Sequence, residues 1–257
     1  MFPIGDDNRD RVRTPFINYL LIGLNILVFV LFQGLGENLA FTYAWSTVPA
    51  EIVTGKDYVT PDRRAEDPYS GQLYLLPGLQ PTPISVYLTL LTSMFMHGSL
   101  AHIFGNMLYL WIFGDNLENL LGHVRYLIFY LLTGLLASLA HVFSTIVLSG
   151  TAEALIPSLG ASGAISGVLG GYLLMFPQRR VRVIFLRVVT DVPAIVAVGL
   201  WFAFQVVESL GVLGGGGGGV AYAAHIGGFI AGLALIKIFA LGVQPPRPPA
   251  PTFYSRY

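Results

Sequence analysis

Gly160-Ala161-Ser162-Gly163-Ala164-Ile165-Ser166-Gly167-Val168-Leu169-Gly170-Gly171 is the stretch on which the fold of this chain turns. A serine stands between small residues at the head of an apolar segment, and small residues then recur at every fourth position. Gly163, Gly167 and Gly171 make one stripe, and Ser162, Ser166 and Gly170 make the next. On a helix such stripes let a neighbouring backbone approach closely, which is how helices pack in lipid. A helix that starts at Ser162 and is stopped by Pro177 has about 15 residues, roughly 22 Å against a hydrocarbon core of ~30 Å. With its lower end at the cytoplasmic boundary, Ser162 is expected on the order of 8 Å below the opposite surface. Serines of this kind are ordinary packing residues in most membrane helices. The hydrolase elbow is not matched either, because Ala164 stands where that motif needs a glycine.

Composition places the chain in the bilayer. Of 257 residues, 11% are charged and 54% hydrophobic, where soluble domains carry about 25% charge. Fourteen basic residues balance fourteen acidic ones, and no basic run suits a nucleic-acid groove, so no nucleic-acid partner is expected. The absence of cysteine excludes disulfides, thiol nucleophiles and thiolate metal sites. Apolar runs predict six spans, over 16–32, 99–114, 126–148, 162–176, 192–213 and 221–241. No small-residue cleavage site follows the first run, so it reads as a span and not as a leader. The expected fold class is therefore an all-α polytopic membrane protein, a single six-span domain over 16–243. Residues 1–15 are expected as a cytoplasmic segment, 34–83 as a long external loop, and 244–257 as a flexible, proline-rich cytoplasmic tail. The apolar run 84–96 either lies in the interface or leads into the second span. With both termini inside, only Lys56, Arg63 and Arg64 of the 14 basic residues fall outside, as the positive-inside rule requires.

Ionisable groups inside spans are expensive and mark function by default. His225 stands near the outer start of the sixth span, and Ala224, Gly228 and Gly232 form a small-residue stripe on that helix. The matching stripes on the fourth and sixth spans predict that these helices touch, with Ser162 and His225 at similar depth. That pairs a nucleophile with a base. On the second span, His102 and Asn106 share one helical face at an i, i+4 spacing. Both can donate hydrogen bonds to an oxyanion near the serine, or equally tie helices together. Histidine beside a neutral asparagine is a poor metal site, and no metal is expected.

Gly160-Ala161-Ser162-Gly163, Ala224-His225-Ile226-Gly227-Gly228 and the run His97 to Asn106 together resemble the rhomboid intramembrane serine proteases of bacterial type, over nearly the whole six-span region. The resemblance implies a six-helix rhomboid-like bundle with a Ser162–His225 dyad. It implies an oxyanion hole from Asn106, His102 and the Ser162 backbone N–H. It further implies transmembrane protein substrates cut in or near their membrane segment, no cofactor, and a bacterial inner (plasma) membrane. Two positions differ from common family patterns. Ser166 stands one turn after the nucleophile, where some members stack an aromatic residue on the histidine, and Trp45 is followed by Ser46 and not by arginine.

Two other readings stay open on the sequence: a catalytically inactive relative that binds membrane clients, and a small channel lined by His102, Asn106, His141 and Gln205. Asp115 and Glu118 are expected as solvated or helix-terminal charges, His97 as a tie between loop and bundle, and Glu208 as the outer end of the fifth span. The six glycines of Gly214 to Gly219 would serve as a hinge above His225 or as a slack connector.

Overall fold

The computed structural model describes residues 2–66, 71, 73–149, 153–210 and 221–243. The glycine run 214–219 and the tail from 244 lie outside them. In chain order the elements begin with β1 (Phe2–Asp6), α1 (Phe16–Leu27), α2 (Leu39–Ala44), α3 (Pro49–Thr54), β2 (Arg63–Glu66) and β3 (Leu73–Leu76). There follow α4 (Thr89–Thr92), α5 (Leu100–Leu121), α6 (His123–Ser144) and α7 (Ser162–Met175). The order closes with β4 (Arg180–Phe185), β5 (Val188–Pro193), α8 (Ala194–Ser209) and α9 (Tyr222–Phe239).

Helix α7 is the pillar. Every residue from Gly163 to Tyr172 is buried, and a helix apolar on all sides belongs at the centre of a bundle. Its small residues are what admit its neighbours. A methyl group at Gly228 or Gly232 of α9 would collide with the carbonyl oxygen of Gly163 or Gly167. The two backbones therefore touch along the stripes expected from the sequence. Helix α6 packs on another face of α7, with Ala137 against Gly163 and Thr133 against Gly167. Helix α5 closes the arrangement near the foot, where Phe113 meets Tyr172 edge-on at 4.9 Å between ring centroids.

The outer helices are inverted relative to a soluble protein. On α1 the buried residues are Asn18, Leu21 and Asn25, while Phe16 is 62% and Leu20 53% exposed. Polar atoms face inward because only there can they find partners in a bilayer. Asn18 Nδ2 donates to the Leu110 carbonyl at 2.9 Å, and the Tyr126 hydroxyl donates to Asn18 Oδ1 at 2.6 Å. Among the described residues, His123–Leu148 and Tyr222–Phe239 are long and apolar enough to cross a membrane by themselves. Phe16–Phe32, Ser162–Met175 and Ala194–Ser209 are apolar but shorter.

Three features amend the sequence reading. The bundle is helical, but the all-α expectation omits two small antiparallel sheets, one ordered β1-β4-β5 and one pairing β2 with β3. In β4, Val181 and Val183 are buried while Arg180 and Arg182 are exposed. That period-two alternation is legible in the sequence and marks a strand. The second sheet, with α2 and α3, shows that the long loop 34–83 is built and not merely connecting.

The third amendment concerns Asp115 and Glu118, which are buried and not solvated. Helix α5 runs on to Leu121, past the expected end of its span, and carries both carboxylates under the N-terminal segment. There Asp115 accepts from Arg11 at 2.9 Å, and Glu118 accepts from the backbone N–H groups of Ile17 and Asn18 at 2.9 and 2.7 Å. Glu118 thereby caps the first turn of α1, whose leading N–H groups have no helical acceptor.

Candidate active site

Ser162 is the first residue of α7, and the chain that leads to it is pinned on both sides. Ser158 exchanges backbone hydrogen bonds with Thr47 at 2.7 and 3.0 Å, and Gly160 N–H donates to the Ser93 carbonyl at 2.8 Å. Thr47 Oγ1 in turn donates to Ser93 Oγ at 2.9 Å. The loop 34–83 and the turns of 86–95 thus hold the serine's approach in place. At a helix N-terminus the first backbone N–H groups lack intrahelical acceptors and carry the positive end of the dipole, a setting that favours developing negative charge.

His225 comes from the first turn of α9. Its Nε2 lies 2.7 Å from Ser162 Oγ, and its Nδ1 lies 2.7 Å from Gln205 Oε1 on α8. The apposition of Ser162 and His225 expected from the matching stripes is present. Ser166, one turn below the nucleophile, is fully buried and donates its hydroxyl to the Ser162 carbonyl at 2.6 Å. It lies within the helix and does not stack on the imidazole. Trp201 of α8 and Tyr222 of α9 are aromatic neighbours instead, 6.2 and 6.3 Å from the His225 ring.

The α5 pair stands on the other side. Ser99 caps α5 by accepting from His102 N–H at 3.1 Å. Gly98 N–H donates to His102 Nδ1 at 3.3 Å, which leaves the proton on Nε2. The ring lies against Gly160, whose φ is +125°; a Cβ there would stand 2.9 Å from His102 Cε1 and Nε2. Only glycine suits that backbone and that gap. Asn106 is buried, and its Nδ2 has no partner among the described residues. An orphaned buried donor costs about 1–3 kcal/mol, so an amide kept that way one helical turn from His102 marks a place for an acceptor. His97 is a tie, as expected, but through its backbone. Its N–H donates to Gln33 Oε1 and its carbonyl accepts from Gln33 Nε2, both at 2.9 Å.

A cavity of about 20 Å³ adjoins Ser162, with Ser93, Ser138, Gly160 and Ala224 in its wall. That is room for about one water molecule with polar partners.

Sequence reasoning placed Gln205 in a channel lining and missed its contact with the imidazole. The available signal was its isolation, since it is the lone amide on an otherwise apolar helix ahead of Glu208.

A lipid-facing exterior, polar groups turned inward, and a serine and an imidazole apposed in the interior define a helical membrane protein with a serine hydroxyl and an imidazole in contact at its core. The rhomboid domain pattern matches residues 85–241, and the chain belongs to the rhomboid family, whose members are integral membrane proteins. Rhomboid protein 1, mitochondrial, of Saccharomyces cerevisiae is 30% identical over 221 residues, 84% of this chain and 51% of the yeast protein. Rhomboid protease GluP of Bacillus subtilis is 37% identical over 142 residues, 54% of this chain and 26% of that protein. Presenilin-associated rhomboid-like protein, mitochondrial, of Mus musculus is 34% identical over 128 residues, 46% of this chain and 33% of the mouse protein. The chain thus spans about half, or less, of the length of these relatives.

Proposed function

We propose that this protein is an intramembrane serine endopeptidase that hydrolyses a peptide bond in or near the transmembrane segment of membrane-anchored proteins. The observation that carries this reading is the 2.7 Å separation of His225 Nε2 and Ser162 Oγ at the head of a buried helix. His225 takes the serine proton as Oγ attacks the scissile carbonyl, then delivers it to the leaving amine. The tetrahedral oxyanion is held by the Ser162 backbone N–H, Asn106 Nδ2 and His102 Nε2–H, three donors oriented before the reaction begins. Water admitted beside Ser162 then hydrolyses the acyl-enzyme, with His225 again as base. This chemistry calls for no metal and no cofactor.

In this reading the apolar helices, including the shorter α1, α7 and α8, make six spans with both termini cytoplasmic in a bacterial plasma membrane. The bias of basic residues toward one side supports that orientation. The relative named a protease supports the activity. The decisive experiment incubates purified protein with a panel of transmembrane substrates and maps the cleavage sites by mass. In parallel, a fluorophosphonate probe is tested for labelling that requires both Ser162 and His225. Absence of cleavage and of labelling across the panel would favour a client-binding protein.

A further inference from the structure

We propose that Gln205 is a positioning residue for His225, fixing the tautomer and the ring plane from a different helix. This rests on the Ser162–His225 reading and deepens it.

Imidazole is useful as a base only if its lone pair faces the serine. Gln205 is buried, and its side-chain oxygen lies 2.7 Å from His225 Nδ1. An oxygen acceptor there requires a proton on Nδ1, which leaves the Nε2 lone pair toward Ser162 Oγ at 2.7 Å. The opposite amide orientation would place a donor against Nδ1 and put the imidazole proton on Nε2, the wrong tautomer for removing a proton from the serine. When His225 becomes imidazolium, the same oxygen faces an N–H that now carries part of the positive charge. A carboxylate would do this more strongly, but an unpaired ion at membrane depth is costly. A neutral amide gives orientation without that cost.

Nothing else in reach among the described residues does this work. Ser166 is committed to the Ser162 carbonyl. The titratable groups around His225 are His102 on α5, His141 on α6 and Tyr222 on its own helix. None of these is hydrogen-bonded to Nδ1 in the structure. Gln205 is held over the imidazole by the turn before it, where Phe202 stacks on Phe229 of α9 at 4.1 Å and 16°. The alignment of the base therefore depends on how α8 seats against α9.

The test compares Gln205→Met, similar in length and without an acceptor, with Gln205→Glu, which keeps one. Steady-state kinetics on a transmembrane substrate are measured across pH, with thermal unfolding in detergent as the folding control. Gln205→Met should lower kcat roughly 10- to 100-fold with KM changed less than about twofold, as for other groups that orient a histidine. Gln205→Glu should recover most of that loss and move the acid limb of the pH–rate profile to higher pH, because a carboxylate favours the charged imidazole. Wild-type kcat in folded Gln205→Met overturns the assignment. Equal impairment of both variants with an unshifted profile also overturns it, since that is the signature of packing alone. If Gln205→Met does not fold, the profile of Gln205→Glu decides by itself, and an unshifted one counts against positioning. Ser162→Ala run alongside separates the two levels. Wild-type turnover there overturns the dyad and this role together, whereas an inactive Ser162→Ala beside an unaffected Gln205→Met overturns only the role of Gln205.

Discussion

Tyr172 donates its hydroxyl to the carboxylate of Asp6 at 2.7 Å, tying the first strand to the foot of the helix that carries Ser162 at its head. Asn116 Nδ2 reaches the same oxygen at 2.6 Å. Arg179 binds Asp10 and Asn116 beside them, and its guanidinium lies 4.2 Å over the Phe176 ring. The N-terminal segment is therefore part of the folded unit and a clamp on the ends of α5 and α7.

That clamp should loosen as pH rises. Burial pushes the Asp6 carboxyl from 3.8 up to about 7. The folded state then binds the proton more tightly than the unfolded chain, so the contribution is fully present below about 4 and is lost as pH rises through about 7. Thermal unfolding between about pH 5 and pH 8 should show falling stability, and Asp6→Asn should flatten that slope. An unchanged slope in Asp6→Asn would assign the effect to another group.

Ser162→Ala and His225→Ala should each abolish proteolysis while the protein still unfolds cooperatively in detergent. Groups that act as a unit are not additive, so the double variant should be no slower than either single one. Substantial cleavage by Ser162→Ala would reject the serine as nucleophile.

Asn106→Ala should slow turnover by roughly 10²–10³ if its amide is a principal oxyanion donor. His102→Ala should act in the same direction. Turnover equal to wild type in both would make the pair structural ties and put the hole elsewhere.

The α7–α9 contact leaves no room for a side chain. Gly232→Val should destabilise the protein by several kcal/mol, because added volume meets the Gly167 backbone and not a flexible side chain. A lowered unfolding temperature with loss of activity is expected. An unchanged unfolding temperature would mean that the two helices can separate freely.

Orientation is accessible because the chain has no cysteine. A membrane-impermeant thiol reagent on intact cells should label Lys56→Cys and miss Arg180→Cys. The reverse pattern would invert the topology and place Ser162 near the other face.

The apolar helices were legible because the bilayer imposes a simple rule: an apolar run must close its own backbone hydrogen bonds, and a helix does so locally. The contact of α7 with α9 was legible too. Small residues at every fourth position have one strong use between helices, and Gly163 and Gly167 find Gly228 and Gly232. The strand β4 was present in the alternation of Arg180 to Val183 but needed β1, far away in the chain, to become a sheet.

The sequence by itself determined the class of solvent, the helical character of the apolar runs, and the residue types available for a nucleophile and a base. It could not decide the fate of Asp115 and Glu118, which looked like solvated charges because nothing local says that the N-terminal segment folds back over them. Nor could it decide what orients His225. Gln205 lies 20 positions away and on another helix, and a hydrogen bond between helices depends on their relative rotation and depth. Those are set by the packing of every neighbouring side chain at once, and only the tertiary structure expresses them.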